Sequence, residues 1–264
     1  MFLIEIKRAF SRLSFKIAIF IGVIFCILSL IEMPVYRGNI MDSYIKGFIN
    51  TPFSNFMLFR LNIISNLLII IMPIISTLSY SDSYIEDVKS GFIKSIYTRQ
   101  KKHSYLIAKY FANFIVSGIA FSVPLLLNYI ILILLYPSIQ PDPILSGVTI
   151  MEGGLFPQLF YSHSNLYIIM WIIIYFLYSA AFASIALCFS KILKYRFVIL
   201  FTPFILYFLV EVFAEISDKM EYSPQAFLYL SLKQDFFIIL LEFIFIFVIT
   251  FSIFCFGGSN DEIY

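Results

Sequence analysis

Residues 79 to 109 read Ser79-Tyr-Ser-Asp-Ser-Tyr-Ile-Glu-Asp-Val-Lys-Ser-Gly-Phe-Ile-Lys-Ser-Ile-Tyr-Thr-Arg-Gln-Lys-Lys-His-Ser-Tyr-Leu-Ile-Ala-Lys109. This is the only long polar, charge-rich passage in the chain, and it joins two strongly apolar runs, Leu61–Tyr80 and Tyr105–Tyr136. A helix needs about 20 apolar residues to cross the hydrocarbon core of a bilayer, and both runs meet that length. A loop that concentrates charge between two such runs lies at a membrane surface and presents something there.

Working outward, four further runs have the same character: Ile17–Tyr36, Leu166–Phe189, Phe197–Glu215 and Phe236–Phe256. Six spans are therefore predicted. Composition agrees: 61% of residues are hydrophobic, 13% are charged and mean hydropathy is +0.94, against about 45–50% and about 25% in soluble domains. The fold class is an all-α membrane protein, expected as a single domain over residues 1–264. Little chain is left outside the spans, which excludes a large soluble domain and requires any energy source to come from another chain. A net charge of +2 does not point to nucleic acid. Cys26, Cys188 and Cys255 all lie in apolar runs and read as packing thiols, with no disulfide or metal site expected. Lys7, Arg8, Arg12 and Lys16 precede the first run as in a signal peptide, but no small-residue cleavage site follows, so that run is expected to be retained.

Thirteen Lys and Arg residues fall at the N-terminus, in the long loop and around Lys191–Arg196, against five on the other side, Arg37, Lys46, Arg60, Lys219 and Lys233. The positive-inside rule then places both termini and the long loop in the cytoplasm, in a multi-pass protein of the plasma membrane. Pro124 interrupts the over-long third run and predicts a tilt or kink there.

Two cytoplasmic elements follow. Residues 1–14 form an amphipathic interfacial helix with Phe2, Leu3, Ile6, Ala9, Phe10 and Leu13 toward lipid. Glu5, Lys7, Arg8, Ser11 and Arg12 are expected toward headgroups and cytoplasm. It is either an anchor alone or also a partner contact. In the loop, Ser83 and Glu86 fit a capping box, Gly91 is a break, and Phe92, Ile93, Ile96 and Tyr97 line one face of a short helix whose other face is Lys94, Ser95 and Thr98. That helix either rests on headgroups or docks into a groove on another protein.

The order Glu86-Asp87, Gly91, Phe92 to Thr98, Arg99-Gln100-Lys101-Lys102 and Lys109 resembles the ABC-2 type permeases, the transmembrane subunits of ATP-binding-cassette transporters. Gln100 stands where a proline is common in that family. The resemblance implies that residues 82–102 are a cytoplasmic coupling loop between spans two and three. Its contacts to a cytoplasmic ATPase subunit, present in two copies, would come from Glu86, Asp87, Gly91, Phe92, Ile96, Tyr97 and Arg99. It further implies a second permease chain, identical or paralogous, and ATP with magnesium bound on the ATPase, no cofactor being expected on this chain. The implied function is export of a hydrophobic or amphipathic substrate such as a peptide, antimicrobial compound or lipid.

Glu211 and Glu242 are acids within predicted spans. Such residues normally face protein or water, so the two either line a translocation path or serve helix packing. An intramembrane enzyme is disfavoured, because His103 and His163 fall on opposite sides and no His-Glu-x-x-His, paired membrane aspartates or Gly-x-Ser-x-Gly is present. An ATPase-independent channel or immunity-type membrane protein is the alternative. The polar positions Asn62, Ser65, Asn66, Asn113, Ser117 and Asn128 make only a partial stripe, of the kind that more often joins helices.

Overall fold

The computed structural model describes residues 1–32, 50–60, 62–141, 150, 153–219, 222–224, 228 and 235–257. Arg37, Lys46, Asp142, Ser146 and Lys233, on which part of the orientation reading rests, lie outside them, as does the expected extension of the first span to Tyr36. The helices are α1 (Phe2–Ser11), α2 (Leu13–Ile31), α3 (Ile63–Tyr80), α4 (Ser83–Lys89), α5 (Phe92–Tyr97), α6 (Lys102–Leu135), α7 (Pro157–Ser162), α8 (Ser164–Phe189), α9 (Arg196–Ile216) and α10 (Phe236–Phe256). No strand occurs among the described residues. Six helices, α2, α3, α6, α8, α9 and α10, are long and apolar enough to cross a membrane, in line with the six predicted runs. The chain is a multi-pass helical membrane protein by this measure.

Local chemistry sets the helix ends. Asn62 caps α3, its side chain accepting from the Ser65 amide at 2.8 Å, and Asp235 caps α10 through the Phe237 amide at 2.9 Å, each satisfying an orphan donor. Arg12 separates α1 from α2 in an extended conformation, φ −68° and ψ 143°, so the first span begins at Leu13 and α1 departs from its axis. Gly91 between α4 and α5 has φ +71°, a left-handed conformation that glycine adopts without steric cost. The serine–glutamate box expected over Ser83–Glu86 does not form. The helix cap is Asp82, without a side-chain cap bond, because its carboxylate is engaged elsewhere.

The bundle is built around α8. Of its most apolar window 72% is buried, against 22% in α9 and 11% in α10. It packs on α3, α6, α7, α9 and α10. The small residues Ser179, Ala180, Ala183 and Ser184 let neighbours approach, and hydroxyls bridge the crossing. Ser76 and Ser179 are 2.8 Å apart, Ser79 and Ser117 are 2.7 Å apart, and the Ser179 hydroxyl donates to the Ser117 carbonyl at 2.9 Å. Without a hydrophobic driving force in lipid, close packing and such bonds hold helices together. Of the polar stripe on α3 and α6, Ser117 and Asn113 join helices in this way. Ser81 donates to Asn113 at 3.2 Å.

Helix α6 runs unbroken through Pro124 for 34 residues, about 51 Å at 1.5 Å per residue, so it outreaches a bilayer core of about 30 Å. The proline ring rests on the bare face of Gly22 in α2, where an added Cβ would fall 2.4 Å from Pro124 Cγ. Its first two turns, Lys102–Lys109, extend to the end of the bundle where α1, α4 and α5 gather.

Candidate functional site

At that end the sequence places acids and bases far apart along the chain, and the fold collects them. Lys109, one side of α6, is fully buried. Its Nζ lies 2.5 Å from Asp87 Oδ2 and 3.0 Å from Glu5 Oε2. Tyr80 donates to Glu5 at 2.6 Å, and Tyr105 donates to Asp87 Oδ2 at 2.6 Å. The Lys109 ammonium also sits 4.8 Å from the Tyr80 ring centre, a favourable place for a desolvated cation.

Arginines from the N-terminal segment complete the knot. Arg8 on α1 pairs with Asp87 and lies 3.8 Å from Glu5. Burial works against its charged form, but the hydrogen bond and charge of Asp87 more than offset that, and its pKa is raised. Arg12 donates to Asp82 at 3.0 Å and pairs with Glu86. Arg196, opening α9, reaches the other Asp82 oxygen at 2.5 Å.

Four acids (Glu5, Asp82, Glu86 and Asp87) thus face four bases (Arg8, Arg12, Lys109 and Arg196). Glu5, Asp82, Asp87 and Lys109 have 1% exposure or less. Removing water from such charges is costly, so a buried pair contributes little net stability while the loss of one partner is heavily penalised. The knot's effect is mechanical: it fastens α1, α3, α4, α6 and α9 to one another.

The wheel expectation for α1 needs correction here. Glu5 does not face headgroups and cytoplasm. It is buried on Lys109 and Tyr80, with Ala9 beside it on the inner face. Desolvating Glu5 is tolerated because a lysine is waiting, which no helical wheel registers. Ala9, expected toward lipid, is buried too, whereas Phe2, Leu3, Phe10 and Leu13 are exposed.

The seven expected coupling residues divide. Glu86 is exposed and paired with Arg12, whereas Asp87 is buried in the knot. Ile96 is buried and Tyr97 half-buried in a cluster with Tyr84, Tyr105, Tyr110 and Phe254. The apolar face of α5 is therefore seated on the protein's own spans. Gly91, Phe92 and Arg99 are exposed, and Phe92 carries the Arg8 guanidinium over its ring at 4.9 Å. With Val88, also exposed, Phe92 forms an apolar tip flanked by Lys89, Lys94 and Arg99.

Glu211 and Glu242 are not brought together. Glu211 on α9 accepts from Ser223, and Glu242 on α10 lies near Tyr178 of α8. His103 stacks near Phe256, with ring centres 5.8 Å apart, and no metal-competent cluster of His, Cys, Asp or Glu occurs among the described residues. The residues missed in advance are Glu5, Arg8, Arg12, Tyr80, Asp82, Tyr105 and Arg196. The one available signal was that Lys109 is a charge seven residues inside a helix, which demands a partner.

No family model matches the chain, and no curated protein or solved structure matches it.

Proposed function

We propose that this chain is the permease subunit of an ATP-driven transporter, with residues 82–102 as the element that receives motion from a separate cytoplasmic ATPase. The observation that carries this reading is the ion-pair knot. It ties α4, whose Glu86, Val88 and Lys89 are exposed, to α1, α6 and α9 and, through Glu5 and Tyr80, to α3, so a push on the loop tip would reach the spans with little slack. The positive-inside count orients that end inward. Two ATPase subunits would act on two such chains, identical or paralogous, and the cargo would be a hydrophobic or amphipathic peptide, antimicrobial compound or lipid. ATP and magnesium would belong to the ATPase.

Because Ile96 and Tyr97 carry the loop on its own spans, the surface offered to the ATPase is the tip: Val88, Lys89, Phe92, Lys94, Ser95 and Arg99. Co-expression with a candidate ATPase tests this. Phe92→Asp, made together with Val88→Asp, should leave the melting curve of the purified chain nearly unchanged, since exposed substitutions usually cost within about 0.5 kcal/mol. It should abolish co-purification and ATP-dependent transport. Retention of both by the double variant would remove the loop as the docking element.

A further inference from the structure

The first three turns of α6 have two differently used sides. Tyr105 and Lys109 turn into the ion-pair knot, whereas Ser104, Ile107, Ala108 and Phe111 recur at intervals of three and four residues and share another face. Across from that face lies the start of α1. Between them is a cleft of about 640 Å³, lined by Met1, Phe2, Ser104, Ile107, Ala108 and Phe111. Ala108 is buried at its floor, while Phe2, Ser104 and Ile107 are exposed at its rim. Small-molecule sites span about 300–1,000 Å³ and are mostly apolar with a few placed polar groups. Here the one polar lining side chain is Ser104.

The two ends of the cleft differ in chemistry. Phe111 is seven residues beyond Ser104, about 10 Å further along α6 and into the apolar part of the span. On the other side of Ser104 the chain reads Arg99-Gln100-Lys101-Lys102-His103. Lys101 is one turn from Ser104 and, like Arg99, exposed, while Lys102 lies over the Tyr97 ring at 5.9 Å. No Asp or Glu occurs from Val88 to Pro141, and the acid of α1, Glu5, is taken by Lys109. The mouth is therefore cationic and the interior is hydrocarbon-like. Its complement is a molecule with a negative head and an apolar chain. The bilayer that six long apolar helices require supplies such molecules at this level, as the anionic lipids of the cytoplasmic leaflet.

We propose that the cleft between α1 and α6 binds an anionic phospholipid, with its phosphate at Lys101 and the Ser104 hydroxyl and an acyl chain between Phe2, Ile107 and Phe111. The chain is held by non-directional burial, and the lysine selects the negative headgroup. Phe2 lies one turn before Glu5, so a filled cleft braces α1 on α6 beside the Glu5–Lys109 contact. Lipid binding here requires a membrane but no ATPase, and so holds independently of the permease reading.

Tryptophan quenching in nanodiscs tests this with the full chain and no ATPase. One reporter is Phe111→Trp in the cleft. The other is Phe197→Trp at the start of α9, which is 78% exposed and adjoins Arg196. Each is read as the difference from the parent chain, whose sole tryptophan, Trp171, is fully buried. The nanodiscs are phosphatidylcholine with a small fixed fraction of acyl-brominated phosphatidylglycerol or, in parallel, acyl-brominated phosphatidylcholine. Phe111→Trp should be quenched at least about threefold more by the brominated phosphatidylglycerol, since one lysine near the surface favours an anionic lipid by a factor of this order. Lys101→Gln with Ser104→Ala should bring that ratio close to one. Phe197→Trp should show a smaller ratio, unaltered by those two changes. Equal quenching by the two lipids at Phe111→Trp, a ratio unmoved by the double change, or the same preference at both reporters overturns the proposal. The last result would assign the preference to the basic rim in general. Should Phe111→Trp fail to fold, Phe2→Trp at the exposed rim reads the same ratio with the same outcomes. Lipid preference without ATPase association would refute the permease reading alone, and ATPase association without lipid preference would refute the lipid site alone.

Discussion

Lys109 has two carboxylates and the Tyr80 hydroxyl within 3.3 Å of its Nζ, and every one of these groups is desolvated. Lys109→Met keeps most of the volume but removes the ammonium that Glu5 and Asp87 share, leaving them only Arg8 and their tyrosine hydrogen bonds. Removing one partner of a buried pair typically costs about 3–5 kcal/mol, so the variant should melt well below the wild type in detergent. Adding Glu5→Gln to Lys109→Met should cost less than the two single losses combined, because the buried carboxylate deprived of its ammonium by the first change is then gone. Additive losses would mean that the two side chains do not interact. Lys109 was legible as a charge at the start of a span, but its partner Glu5 is 104 positions away. No local pattern links the two, because the contact exists only once α1 has folded back against α6.

At the scale of the element, α5 shows what an amphipathic pattern does and does not determine. Ile93, Ile96 and Tyr97 share a face, as their spacing requires, and Lys94, Ser95 and Thr98 share the other. Periodicity states that a face must be buried, not what buries it. Here the cover is α6 and α10, through Tyr105, Tyr110 and Phe254. Ile96→Asp should therefore destabilise the isolated chain, lowering its melting temperature without any ATPase present, since it places an unpaired charge in that cluster. A normal melting curve for Ile96→Asp would show that the α5 face is free rather than seated. The helix α1 gives the same lesson in reverse. Its polar side looked solvent-directed, yet Glu5 is buried, because a complementary cation made burial of a carboxylate tolerable.

For the whole molecule, orientation is the property that labelling can settle. A cysteine at Ser95, which is exposed, should react with a membrane-impermeant maleimide only in inverted vesicles. One at Asp218, exposed in the turn after α9, should react in sealed cells. Ser223 is a poor reporter for that side because it is buried against Glu211. Labelling at 95 in sealed cells would invert the topology. Six helices long and apolar enough to span a membrane were legible in the sequence alone, the last five with limits within about three residues, since the cost of exposing apolar or charged groups to the wrong solvent acts on each segment independently. The Gly91 break was local too, whereas the Ser83–Glu86 box was lost to a cap at Asp82, whose carboxylate is drawn to Arg12 and Arg196. What only the tertiary structure decided is which helix is central, which charges meet and which faces are covered. Those outcomes depend on contacts between segments such as Glu5 with Lys109 or Met57 with Asn128, whose free energy is realised only when distant parts of the chain arrive together.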